Sequence, residues 1–156
     1  MRCAHVAAAL VMGASLVVLS ASCITPQYVD TATPEDARFN VECMGGCGPR
    51  AHDLGVMIDI TFTAKGRPFS RQYGVCCQYL PALRAHLATI RDLFCDGLDV
   101  NAKEIGGLIV STTISDATGK RGAIIDDGEG YTAFNCGEWL DQLIDKTGQT
   151  DCCRKK

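Results

Sequence analysis

Ten cysteines in a chain of 156 residues constrain its folding more than any other feature. An ordinary reduced domain has little use for so many thiols, which either pair as disulfides in an oxidising compartment or bind metal. Their spacing decides between the two. Cys43 and Cys47 have three residues between them, and Cys76-Cys77 and Cys152-Cys153 have none, whereas a zinc knuckle wants two. Adjacent cysteines ligate one metal only under strain, so the sequence predicts disulfides, with no metal site and no cofactor.

The N-terminus supplies the compartment. Met1 and Arg2 precede an uncharged apolar run over residues 6–19. Such a run, about 14 residues, falls short of the ~20 a bilayer helix needs and matches the apolar region of a secretory signal. Residues 1–22 therefore read as a signal peptide that takes Cys3 with it. Small residues at Ser20 and Ser22 suit an ordinary signal peptidase, which gives a secreted, extracellular protein. The alternative is a bacterial envelope lipoprotein, lipidated at Cys23 and tethered by residues 24–42. Against it, the leucine that such signals carry before the cysteine stands one position early, at Leu19, with Ser20 in its place.

Setting Cys23 apart leaves Cys43, Cys47, Cys76, Cys77, Cys95, Cys136, Cys152 and Cys153, an even set that allows four disulfides. Eight cysteines permit on the order of a hundred pairings, so sequence alone leaves the connectivity open. Adjacent cysteines are expected to take different partners, because the ring closed across a single peptide bond is strained.

Residues 23–50 carry Pro26, Pro34 and a polar mix, then the glycines of a cysteine loop, and read as a polar spacer followed by that loop. Residues 51–153 read as the folded domain. Val56, Ile58, Ile60 and Phe62 alternate with Met57, Asp59, Thr61 and Thr63, the period of a half-buried strand. A turn at residues 64–67 leads to a return strand over 69–75. Leu80, Leu83, Leu87, Ile90 and Phe94 then recur at helical spacing, predicting a helix over 79–95 with Pro81 in its first turn.

The second half repeats the pattern: a β-rich run at 108–115, a turn at 117–122, and a return strand from 123 that residues 126–130 interrupt before 131–134. A helix over 136–147 follows, with Asn135 as its cap and Glu138 three residues on. The helix starts at Cys76-Cys77-Gln78-Tyr79-Leu80 and Cys136-Gly137-Glu138-Trp139-Leu140 match in the aromatic and leucine positions. A repeated strand–strand–helix unit of this kind gives an α+β fold. The expected form is a two-layer α/β sandwich, a four-stranded antiparallel sheet with both helices on one face, stapled by disulfides at the helix ends.

Composition bounds the function. The chain is 47% hydrophobic and 21% charged with a formal net charge of −3, which excludes disorder and a generally basic nucleic-acid binder. The charge is unevenly placed: residues 60–95 sum to +4, and residues 96–151 to −7. Lys65, Arg67, Arg71 and Arg84 are the candidate contacts for an anionic protein or surface partner, with Tyr79 and Trp139 as aromatic anchors. The competing reading of both aromatics is that they cover the seam between helix and sheet.

No nucleophile, phosphate-loop or metalloprotease signature accompanies His52 or His86, so a non-catalytic protein is expected over a small secreted hydrolase. Asp126-Asp127-Gly128-Glu129 offers hard oxygen ligands but lacks the spacing of a calcium loop, and reads as an acidic turn.

With its signal peptide, its even cysteine count and the corner Cys136-Gly137-Glu138-Trp139-Leu140 after Tyr131-Thr132-Ala133, the chain resembles small secreted cysteine-rich fungal effectors, in particular the smut-fungus killer toxins. In those toxins Cys-Gly-acid leads into a helix lying on an antiparallel sheet. The resemblance covers under a tenth of the chain. It implies an extracellular α/β sandwich acting on a membrane, channel or host protein without catalysis.

Overall fold

A computed structural model describes residues 27–28, 38–47, 53–64, 67–115 and 119–154. Residues 1–22, expected to be a signal peptide, and Cys23, His52 and Lys65 lie outside the described residues. The elements in chain order are β1 (Gln27–Tyr28), β2 (Arg38–Met44), β3 (Gly55–Ala64), β4 (Arg67–Cys76), α1 (Leu80–Thr89), β5 (Lys103–Ile105), β6 (Leu108–Ile114), β7 (Arg121–Asp126), β8 (Tyr131–Asn135) and α2 (Glu138–Gln149). A π-helical turn, Ile90–Phe94, extends α1.

The fold is α+β, with antiparallel strands, two helices and four disulfides. The strands divide between two sheets, β2-β3-β4 and β1-β8-β7-β6-β5, where one sheet of four was expected. Every pairing is antiparallel except the short one of β1 with β8.

Two local features account for the division. The stretch expected as an interrupted return strand is a hairpin: Asp126 pairs with Tyr131, and Gly128 turns the chain at φ +85°. The β6–β7–β8 meander thereby completes a sheet of its own. On the other side, the Tyr73 side chain of β4 reaches β7 and β8, its hydroxyl donating to the Ile125 carbonyl at 3.1 Å and lying 2.8 Å from Thr132 Oγ1. The two sheets thus meet through side chains instead of a continued ladder.

One core lies between the sheets and helices. Val56, Ile58, Ile60, Phe62, Tyr73 and Val75 come from β3 and β4, and Val110, Ala123, Ile125 and Phe134 from the meander. The expected helical stripe of α1, Leu80, Leu83, Leu87, Ile90 and Phe94, is buried throughout. In α2, Leu140, Leu143 and Ile144 are joined by Trp139 and by Thr147, whose hydroxyl bonds back to the Leu143 carbonyl at 2.8 Å.

Two readings are corrected. Residues 38–44, assigned to the spacer, form β2, which pairs with β3 from Arg38↔Thr61 to Met44↔Gly55. The alternation Phe39, Val41, Cys43 against Arg38, Asn40, Glu42 is a strand signal that the prolines and polar residues upstream obscured. Helix α2 begins two residues later than expected. Asn135 ends β8, and Gly137 is the cap, at φ 105° and ψ −139°. That region of backbone space is open essentially to glycine alone, so Gly137→Ala is expected to cost about 1–3 kcal/mol. Urea unfolding of the variant measures this directly.

All eight cysteines expected to pair do so, and adjacent ones take different partners: Cys43–Cys152, Cys47–Cys76, Cys77–Cys153 and Cys95–Cys136. Three of the bonds tie the two halves to each other, and Cys47–Cys76 lies within the first half. Cys77 precedes α1 and joins Cys153 after α2, while Cys95 follows α1 and joins Cys136 before α2. The helices are thereby held side by side and antiparallel at both ends.

Candidate functional site at the end of the β3–β4 hairpin

Strand register builds this site. Phe62 pairs with Phe69, Thr63 with Pro68 and Ala64 with Arg67, while Arg38 of β2 lies beside Thr61. The Phe62 and Phe69 rings stack at 5.4 Å with planes 14° apart. Around them is a shallow concavity of about 540 Å³, lined among others by Arg38, Thr61, Thr63, Pro68 and Phe69. Arg38 is exposed. Arg67 opens β4, and Lys65 with Gly66 joins the two strands in the chain. An aromatic floor lined by Arg38, on a hairpin whose connecting sequence carries Lys65 and Arg67, suits contact with an anionic partner. Arg38 belongs to this group and was missed because its segment read as spacer.

The other candidates have structural employment, each against a different element. Arg71 donates from Nη2 to Asp127 Oδ1 at 2.6 Å, and the same oxygen accepts the backbone N–H groups of Glu129 at 3.0 Å and Gly130 at 3.1 Å. The acidic turn is therefore held by Arg71, and its carboxylates serve the turn: Asp126 accepts from the Gly128 N–H at 2.7 Å. Arg84 lies across α2 where Gly148 leaves it room; a Cβ there would collide with the guanidinium. The Tyr79 ring packs over Gly106 and remains 40% exposed. Trp139 is buried, 5.5 Å from Phe39, which is in turn 5.9 Å from Phe134. The seam-covering reading thus describes Trp139, and Arg71, Arg84, Tyr79 and Trp139 do not converge on one surface.

His86 sits in the core, 2% exposed, with Nε2 3.3 Å from the Val110 carbonyl and Nδ1 buried without a partner. The ring is accordingly neutral, protonated on Nε2 and donating to Val110. Burial, aided by the positive charge of Lys103, lowers its pKa below the usual 6.5, with the Val110 bond opposing. The unfolded chain takes up a proton that the folded chain resists. Stability from this group is therefore full above about pH 6.5 and is lost as pH falls below it. The difference in unfolding free energy between wild type and His86→Gln, measured from pH 7 down to 5, should shrink as pH falls. A difference independent of pH would contradict this assignment.

Among the described residues no group of three or more His, Cys, Asp or Glu is placed to hold a metal ion, and no helix is long and apolar enough to cross a membrane. Comparison with protein-family models, with curated proteins and with solved structures found no match, so the fold and the site stand on this chain's own residues.

Proposed function

We propose that this is a secreted, non-catalytic binding protein of effector or toxin-like type, which contacts an anionic protein or surface through the end of the β3–β4 hairpin. Four disulfides fit an oxidising, extracellular location. The observation that carries the contact surface is the placement of exposed Arg38 on β2, across β3 from the strand that Arg67 opens, at the concavity that the stacked Phe62–Phe69 pair lines. The burial of His86 against a backbone carbonyl supports a role without catalysis. The turn from β8 through Gly137 into α2 supports the likeness to the killer-toxin corner.

The test is the triple variant Arg38→Glu, Lys65→Glu, Arg67→Glu, with heparin and phosphatidylserine vesicles as two anionic probes. Wild type should bind in a salt-sensitive way, and the variant should lose about tenfold or more in affinity at low salt. Arg71 stays in place, because Arg71→Glu would set a carboxylate against Asp127 and disturb the fold instead of the surface. Equal binding by wild type and variant would remove the hairpin end as the contact.

A further inference from the structure

Three of the four disulfides form a connected run, Cys47–Cys76, Cys77–Cys153 and Cys152–Cys43, linked through the two adjacent cysteine pairs. Within it the ends differ in access. Cys43, on β2, is the exposed one of the eight paired cysteines, whereas Cys47 is 6% exposed and the other six are partly covered. A thiolate arriving from solvent therefore meets Cys43 Sγ most readily. The opposite sulfur is also prepared. Thr150 Oγ1 donates to Cys152 Sγ at 2.9 Å. A hydrogen bond to a sulfur strengthens as negative charge develops on it, and a better-stabilised leaving thiolate departs faster.

We infer that Cys43–Cys152 is a site of thiol–disulfide exchange, whose substrates are low-molecular-weight thiols and dithiol oxidoreductases. The incoming thiolate attacks Cys43 Sγ. A bond forms between its sulfur and Cys43, the Cys43–Cys152 bond breaks, and the electron pair leaves on Cys152 as a thiolate that Thr150 stabilises. With a monothiol the product is a mixed disulfide on Cys43. With a dithiol, the second thiolate attacks the mixed disulfide, releases Cys43 as a thiolate and closes the reagent's own disulfide, two electrons passing to the protein.

The opening is local. Cys77–Cys153 still ties the end of α2 to the start of α1, and β2 keeps its ladder with β3. What is released is the link between the end of β2 and the tail after α2, which spans 109 residues of sequence. The site is independent of the contact surface proposed above, because Cys43 and Arg38 lie toward opposite ends of β2.

The folded protein is exposed to glutathione at mildly alkaline pH, quenched with acid at intervals, alkylated and mapped by peptide mass. The first adduct should be glutathione on Cys43, with Cys152 as the matching free thiol, while the other three disulfides remain intact. Thr150→Val should slow this step about twofold to fivefold, and Thr150→Ser, which keeps the donor, should not. A first adduct on any other cysteine, no adduct at all, or an unchanged rate in Thr150→Val overturns the assignment.

Discussion

Full reduction of the four disulfides is expected to unfold the protein at room temperature. α1 has 10 residues and α2 has 12, below the length at which isolated helices hold in water, so both depend on being pinned to the sheet. The bonds join positions 29 to 109 residues apart, and loop-closure entropy assigns about 3–5 kcal/mol to each such link. The loops overlap, so these contributions are not additive, yet two of them already rival the ~5–15 kcal/mol that stabilises a typical domain. Far-UV circular dichroism and amide proton dispersion, followed as a phosphine reductant is added, give the readout. Collapse of dispersion with loss of a cooperative melt is expected. A reduced protein that still melts cooperatively within about 5 °C of the oxidised one would show that the core alone carries the fold.

Phe134→Ala should be the most damaging of the single core substitutions at the junction of the two sheets. Phe134 is fully buried on β8, and its ring faces Phe39 of β2, which stacks at a tilt on Trp139 of α2. That trio joins the second sheet, the first sheet and a helix at one point. Truncation leaves a cavity that strands on both sides can close only by shifting against their disulfides, so a loss of about 3–5 kcal/mol is expected. Phe134→Leu, which keeps most of the volume, should cost about 1 kcal/mol. Chemical denaturation of the two variants separates a packing role from mere hydrophobicity: similar losses in both would argue against the trio as the junction.

The parts of this fold that depend on neighbours in sequence were legible, and the parts that depend on distant pairings were not. The alternation of Val56, Ile58, Ile60 and Phe62 and the stripe of Leu83, Leu87 and Ile90 are local periods, and both appear as read. The identity of the paired cysteines followed from parity and adjacency, whereas their partners did not, because a bond such as Cys43–Cys152 joins residues 109 apart. The division into two sheets turns on Tyr73 meeting Ile125 and Thr132, and no local pattern encodes that meeting. For the candidate site the same limit applies. Lys65 and Arg67 read as basic because they are near each other, while the capture of Arg71 by Asp127, 56 residues on, removes it from the surface group. Arg38 was readable in principle, since Phe39, Val41 and Cys43 alternate around it, but the strand is short and edged by proline-containing sequence.

The account rests on helices tied end to end across the two halves of a disulfide-stapled domain, and disulfide mapping of the unreduced protein tests that most directly. Proteolysis at acid pH followed by mass analysis should recover Cys43 with Cys152, Cys47 with Cys76, Cys77 with Cys153, and Cys95 with Cys136, and a thiol reagent should label Cys23 at most. Bonds within Cys76-Cys77 or Cys152-Cys153, Cys77 paired with Cys95 or Cys136 with Cys153, or free thiols among these eight would contradict it.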